Sequence, residues 1–161
     1  MQFGFIGVGQ MGGGLARNLI RAKKSVWVFD LNPEAVKATL AAGTTGRAAE
    51  KIEELVGADV VFTSLPLPQH LESVMLGPQG FLGRMKSGST YIDVSTIDPL
   101  TARKLSDAAE AGGIHFLECP LGKTPAHAEK AEEPIFAGGK KAAFEMMLDT
   151  LNIIGKPVYY L

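Results

Sequence analysis

Six residues near the amino terminus, Gly7-Val8-Gly9-Gln10-Met11-Gly12, have the spacing of a phosphate-binding turn. Each glycine of such a turn has its own task. Gly7 allows the tight turn, Gly9 lets the backbone approach a pyrophosphate, and Gly12 lets the following helix pack closely on the preceding strand. The N-terminus of that helix offers unpaired N–H groups and a positive dipole end to the phosphates. Asp30 follows about 20 residues on, where a carboxylate can bind the hydroxyls of an adenosine ribose. That carboxylate would repel a 2′-phosphate, and Leu31-Asn32-Pro33 after it bring no Arg to offset the charge. NAD is therefore favoured over NADP, while FAD shares the fingerprint. A chain with 19 glycines can produce such a spacing by accident, so the context has to decide.

Two other groups carry chemistry-bearing side chains. Ser95 and Thr96 place hydroxyls at the carboxyl end of an apolar run, where an open sheet meets its ligand. The lesser alternative is a helix-cap pair ahead of Asp98-Pro99. Gly122-Lys123-Thr124 resembles the tail of a nucleotide-triphosphate loop, but that motif needs a Gly five residues before Gly122, and Leu117 stands there. A P-loop NTPase is the remote alternative. His70, His115, His127 and Cys119 show no metal-ligand spacing, and Cys119 ahead of Pro120 suits inert burial.

The elements that must position these residues alternate. Apolar runs at Phe3–Gly7, Val26–Asp30, Val60–Leu65, Thr90–Ser95, His115–Glu118 and Ile135–Ala137 read as strands, with a weaker one near Thr45–Arg47. Most are nearly continuous in hydrophobicity, as strands covered on both faces should be. Helical period appears at Met11–Arg21, Pro33–Ala42, Ala49–Val56, Pro99–Ala111 and Lys141–Leu151. Asn32-Pro33 and Asp98-Pro99 each supply an N-cap followed by Pro at the first helical position. Gly43 and Gly112-Gly113 are placed for left-handed helix ends. Strand and helix in alternation predict an α/β fold: a Rossmann-type, doubly wound, mostly parallel sheet forming a single domain. The glycine turn then lies between a strand and a helix, with Asp30 at the end of the second strand, which makes dinucleotide binding the leading reading.

Three segments together resemble the β-hydroxyacid dehydrogenase family, which includes 3-hydroxyisobutyrate dehydrogenase and the NAD-binding domain of 6-phosphogluconate dehydrogenase. They are GFIGVGQMGGGLARNL, TSLPLPQHLESVMLGPQG and YIDVSTIDP, in the family's order and spread over most of the chain. The resemblance implies that Gly7, Gly9, Gln10, Met11, Gly12, Asp30, Leu65, Pro66 and Thr96 contact NAD, and that Ser95 meets the substrate. The loop Glu118–Ala126 departs from the family's D-A-P-V-S-G-G and is similar to the G-R-T-S-A version of sulfolactaldehyde reductase. On that likeness Gly122, Lys123 and Thr124 would receive an anionic head group, carboxylate or sulfonate, with exposed backbone N–H groups beside a Lys point charge. Ala131-Glu132-Glu133-Pro134 replaces the usual G-T-L region and sets two acids nearby.

The family's acid/base is a lysine in a G-x-x-x-K-x-x-N-N helix beyond the cofactor domain, and the resemblance places that lysine past Leu161. No such segment occurs in residues 1–161, and Lys156, followed by Pro157, does not fit it. The chain is thus expected to be an N-terminal NAD-binding domain, without the all-helical substrate and dimerisation domain and with no catalytic residue of its own. The implied reaction is hydride transfer between a nicotinamide and a short β-hydroxyacid or its semialdehyde, in a full-length enzyme that is a homo-oligomer. A stand-alone dinucleotide-binding module without catalysis is the alternative.

Bulk properties agree with this class. At 161 residues the chain suits one domain, and 46% apolar with 20% charged residues marks a globular one. A net charge of −1 makes no electrostatic case for nucleic acid or a membrane surface. No apolar run approaches the roughly 20 residues of a membrane span. The single Cys119 cannot form an internal disulfide, and a cytoplasmic location is expected.

Overall fold

The nearly continuous apolar runs are strands shielded on both faces, and a computed structural model describing residues 1–161 shows how. Every residue of β4 (Val60–Thr63) and β5 (Thr90–Asp93) is buried, as are four of the five in β1 (Gln2–Ile6). Beside them run β2 (Ser25–Phe29), β3 (Gly46–Ala48), β6 (His115–Glu118), β7 (Ile135–Gly139) and β8 (Val158–Tyr160). The sheet order is β3-β2-β1-β4-β5-β6-β7-β8. The pairs from β3 through β6 are parallel, β6 and β7 are antiparallel, and β7 and β8 are parallel again. The first six strands have the doubly wound order of a dinucleotide-binding fold, which reverses direction between β1 and β4.

Helices cover both faces: α1 (Gln10–Arg21), α2 (Pro33–Leu40), α3 (Pro68–Met75), α4 (Pro99–Ala111), α5 (Pro125–Glu129) and α6 (Lys141–Ile154). One core cluster packs Leu15, Leu19, Met147 and Leu151 against Phe3, Phe5 and Phe62, with the Phe5 and Phe62 rings stacked at 5.1 Å. The other packs Leu71, Met75, Leu105 and Ala109 against Val61 and Tyr91. Both expected caps form: Asn32 accepts the Glu34 amide at 3.0 Å, and Asp98 accepts the Thr101 amide at 2.6 Å.

Several boundaries differ from the sequence reading. The helix expected over Ala49–Val56 is one 3₁₀ turn, Ile52–Leu55. The Glu54 carboxylate takes the amides of Glu50 and Lys51, which closes the turn at once, and Leu55 tucks beneath Gly4. The left-handed residue after α4 is Gly113 (φ +71°), whereas Gly43 is small because an added Cβ would lie 2.9 Å from the Ile20 side chain. Two helices were absent from the sequence reading, α3 with eight residues and α5 with five.

Candidate functional site

The carboxyl ends of β1 and β4 diverge at the switch point, and a cleft of about 890 Å³ opens there. Gly7 leaves β1 with φ +92°, a conformation that only glycine adopts freely, and an added Cβ would sit 2.1 Å from the Ser64 carbonyl oxygen. Gly12 faces its own strand: a Cβ there would lie 2.1 Å from the Gly7 carbonyl oxygen and 3.1 Å from the Phe5 ring. Helix and strand touch through that absent side chain. Gly9 is different. Nothing lies within 4 Å of its Cβ position, so the backbone there borders open space. No side chain caps α1, and its first turn holds no acid. Its first amides have no intrahelical acceptor and face the cleft through Gly9, Gln10, Met11 and Gly12. An uncapped helix end of this kind suits an anion.

Asp30 stands across the turn. Its Oδ2 accepts the Val8 amide at 2.8 Å and its Oδ1 accepts the Asn32 amide at 2.9 Å. The carboxylate therefore braces the glycine turn, and each oxygen keeps a lone pair for a hydroxyl in the cleft. These features fit a dinucleotide: an uncapped helix end, space at Gly9 and a fixed carboxylate beyond it.

Residues 2–161 match the family described as the NAD binding domain of 6-phosphogluconate dehydrogenase. The chain belongs to this family. Among curated relatives of this NAD-binding domain, 3-hydroxyisobutyrate dehydrogenase of Pseudomonas aeruginosa is 37% identical over 156 residues, covering 97% of this chain and 52% of that protein. The 2-(hydroxymethyl)glutarate dehydrogenase of Eubacterium barkeri is 35% identical over 161 residues, covering 99% and 53%. The 3-sulfolactaldehyde reductase of Escherichia coli is 33% identical over 151 residues, covering 94% and 50%. The chain thus spans about half the length of these relatives. Among solved structures, Psf3 in complex with NADP+ and 2-OPP superposes with a TM-score of 0.91 at 26% identity, covering 99% of this chain and 56% of that one. The 3-hydroxyisobutyrate dehydrogenase of Salmonella typhimurium gives 0.89 at 31%, covering 99% and 55%. The Rossmann-type fold and the resemblance read from three motifs both hold.

The rest of the domain's cleft divides between expected and unexpected residues. Leu65, Pro66, Ser95, Thr96 and Lys123 line it together with the glycine turn and Asp30. So do His70, Ser73 and Val74 of α3, a helix absent from the sequence reading. Gly122 and Thr124 do not line it. The Thr124 hydroxyl caps α5 and pairs with His127 Nδ1 at 2.7 Å. The amides of Gly122 and Lys123, expected to be open, both donate to Glu133 Oε2, at 3.1 and 2.7 Å. With its amides turned inward and only a five-residue helix behind it, this segment cannot cradle a triphosphate.

Leu161, the residue past which the resemblance places the family's lysine, is not part of the cleft either. It follows the edge strand β8, where its side chain is exposed and its amide donates to the Ala137 carbonyl at 3.0 Å. That bond extends the pairing of β8 with β7, so Leu161 has a place in the sheet and none at the site. Lys156, just ahead of β8, also lies outside the cleft lining.

Ser95 is also committed. Its hydroxyl donates to Asp93 Oδ1 at 2.8 Å and accepts the Leu65 amide at 2.9 Å. Thr63 donates to the same Asp93 oxygen at 2.7 Å, so the Tyr91 hydroxyl, 2.7 Å from Thr63, is the donor in that pair. A buried chain of hydrogen bonds thus ties the end of β4 to the end of β5. Burial pushes the Asp93 carboxyl up to about 6, against the hydrogen bonds from Thr63 and Ser95 that favour its ionised form. Cys119 is buried, and desolvation aided by Asp93 and Glu118 lifts its thiol to about 12, which makes it unreactive. The sequence carried no signal for the network, because Tyr91, Thr63 and Asp93 meet only across the sheet.

Proposed function

We propose that this domain holds NAD in the switch-point cleft and forms one half of an oxidoreductase acting on a short β-hydroxyacid and its semialdehyde. The observation that carries the reading is the open Gly9 at the uncapped end of α1, facing the Asp30 carboxylate across one turn. Gly7, Gly9, Gln10, Met11 and Gly12 would hold the pyrophosphate on backbone N–H groups. Asp30 would accept the adenosine ribose hydroxyls, and its negative charge favours NAD over NADP. Leu65, Pro66 and Thr96 would border the path to the nicotinamide end. NAD supplies a two-electron hydride carrier, and the protein supplies position and electrostatics.

The head group of the substrate would meet Lys123, the only Lys or Arg lining the cleft. The curated relatives support this class, since their names include a hydroxyisobutyrate dehydrogenase and a sulfolactaldehyde reductase. Proton transfer to or from the reacting oxygen needs a group within hydrogen-bond reach. We assign that role to a lysine of an all-helical second domain, so residues 1–161 alone would bind NAD without turnover.

Titration of the 161-residue chain with NADH and NADPH, followed by nicotinamide fluorescence, tests the binding half of this reading. The expected result is saturable binding with NADH preferred at least fivefold. Failure to bind either, or thermal stabilisation by ATP alone, overturns it.

A further inference from the structure

The buried Glu133 is the one acid of the 131–134 segment that turns inward. It is 0% exposed, whereas Glu132 beside it is exposed. Its backbone is pinned: the Glu133 carbonyl accepts the Lys156 amide at 2.9 Å, and an added Cβ on Gly155 would lie 2.2 Å from that oxygen. Two residues on, Ile135 bridges to Leu121, which sets the loop alongside. From this fixed place Oε2 receives two consecutive loop amides, Gly122 and Lys123. Oε1 is buried with no partner. An unpaired polar oxygen in the interior is unfavourable.

Two adjacent backbone N–H groups converging on one oxygen are the arrangement that receives an external carboxylate. Here the protein fills it with its own. With both amides turned inward to Glu133, neither faces the cleft that a substrate carboxylate would enter. Ser95 cannot take their place, since its one proton goes to Asp93. The one Lys or Arg that lines the cleft is the exposed Lys123. An ammonium is a point charge on a flexible stem and imposes no planar geometry, unlike a fixed pair of N–H donors or a guanidinium fork.

We infer that Glu133 is a positioning residue for head-group specificity: it withdraws the Gly122 and Lys123 amides from the substrate and leaves recognition to the Lys123 ammonium. A planar carboxylate and a tetrahedral sulfonate are then accepted alike. This rests on the reading of the cleft as a site for NAD and an anionic hydroxyacid.

The test uses the isotope-labelled 161-residue chain saturated with NADH and titrated with 3-hydroxypropionate or 3-hydroxypropanesulfonate, read by NMR. In the wild type the Lys123 side-chain signals move, the Gly122 and Lys123 amide signals stay, and the two affinities agree within threefold. Glu133→Leu releases both amides and lets the exposed loop turn them to the cleft, so they now shift with the carboxylate, whose affinity rises at least threefold over the sulfonate. Glu133→Gln offers an acceptor oxygen to the amides and restores the wild-type pattern. Movement of the wild-type amides on adding carboxylate overturns the inference, as does an unchanged carboxylate-to-sulfonate ratio in folded Glu133→Leu. Saturation by NADH with no response at Lys123 also sinks the inference but spares the dinucleotide reading. Absence of NADH saturation sinks both.

Discussion

Arg17 Nε on α1 donates to Glu129 Oε1 on α5 at 2.8 Å, and Arg21 reaches the other oxygen of the same carboxylate. The contact joins the helix that begins in the glycine turn to the helix that follows the Lys123 loop. Gly14 lets the two approach, since a Cβ there would lie 2.9 Å from the Glu129 amide nitrogen. Asn18 adds a hydrogen bond to the Ala128 carbonyl at 2.8 Å. The glycine turn and the Lys123 loop, which both reach the cleft, are therefore tied through one helix pair. Arg17, aided by Arg21, holds the Glu129 carboxyl down at about 2 from its usual 4.5. A depressed carboxyl stabilises the fold above its unfolded value, and that contribution fades as pH falls from about 4.5 towards 2. Glu129→Gln should lower stability by about 1 kcal/mol at pH 7, allowing for solvent screening of a partly exposed pair. Urea unfolding should show that difference shrinking by pH 2.5. A deficit that is the same at both values would mean that packing, not charge, joins the helices.

Gly9 and Gly12 separate binding from folding. Gly9→Ala adds a methyl to open space, so its melting temperature should stay within about two degrees of the wild type. NADH affinity should nonetheless fall at least tenfold, because the methyl enters the ligand's volume. Gly12→Ala forces a methyl against the Gly7 carbonyl and Ser64, and should destabilise the fold by roughly 1–3 kcal/mol. Differential scanning fluorimetry with an NADH titration reads both. A stable Gly9→Ala with unaltered affinity would remove the turn from the site.

Asp30 braces the glycine turn through the Val8 amide and lines the cleft. Asp30→Ala removes both the hydroxyl acceptor and the charge that opposes a 2′-phosphate. NADH should bind more weakly, and the NADH-to-NADPH preference should fall at least fivefold. Fluorescence titration of the two reduced cofactors measures it, and an unchanged ratio would exclude Asp30 from the ribose site.

Asp93 predicts a pH dependence of the opposite sense to Glu129. Its carboxyl is raised from 3.8 to about 6 by burial, so the folded protein keeps a proton that the unfolded chain has already released. The stability tied to this group is complete below pH 3.8 and is lost as pH rises to about 6. The loss is on the order of 3 kcal/mol. Asp93→Asn keeps an acceptor for Thr63 and Ser95 but cannot titrate. Unfolding free energies at pH 4 and pH 7 should show the wild type losing ground against the variant. A parallel pair of curves would mean that Asp93 does not titrate in this range.

The order of strands and helices was legible because hydrophobic period, capping residues and glycine spacing are local properties of the chain. β1, α1 and β2 could be placed from Phe3 to Asp30 with no knowledge of their neighbours. Ala49–Val56 misled for the same reason: its helical period is real, but Glu54 satisfies the amides before it within one turn. α5 was hidden because five residues do not establish a period, and it exists by docking on Gly14 and Arg17.

What the residues determined by themselves was the class of site. A glycine at each of three positions and an acid at the end of the next strand pointed to a dinucleotide-binding domain through backbone conformation and charge, and the chain belongs to such a family. What only the tertiary structure decided was which polar groups remain free to meet a ligand. Ser95 and the Gly122–Lys123 amides look available along the chain, yet Asp93 and Glu133 occupy them from within. Hydrogen-bond capacity is finite, and its partners are chosen by what packing brings within about 3 Å rather than by what lies adjacent in sequence.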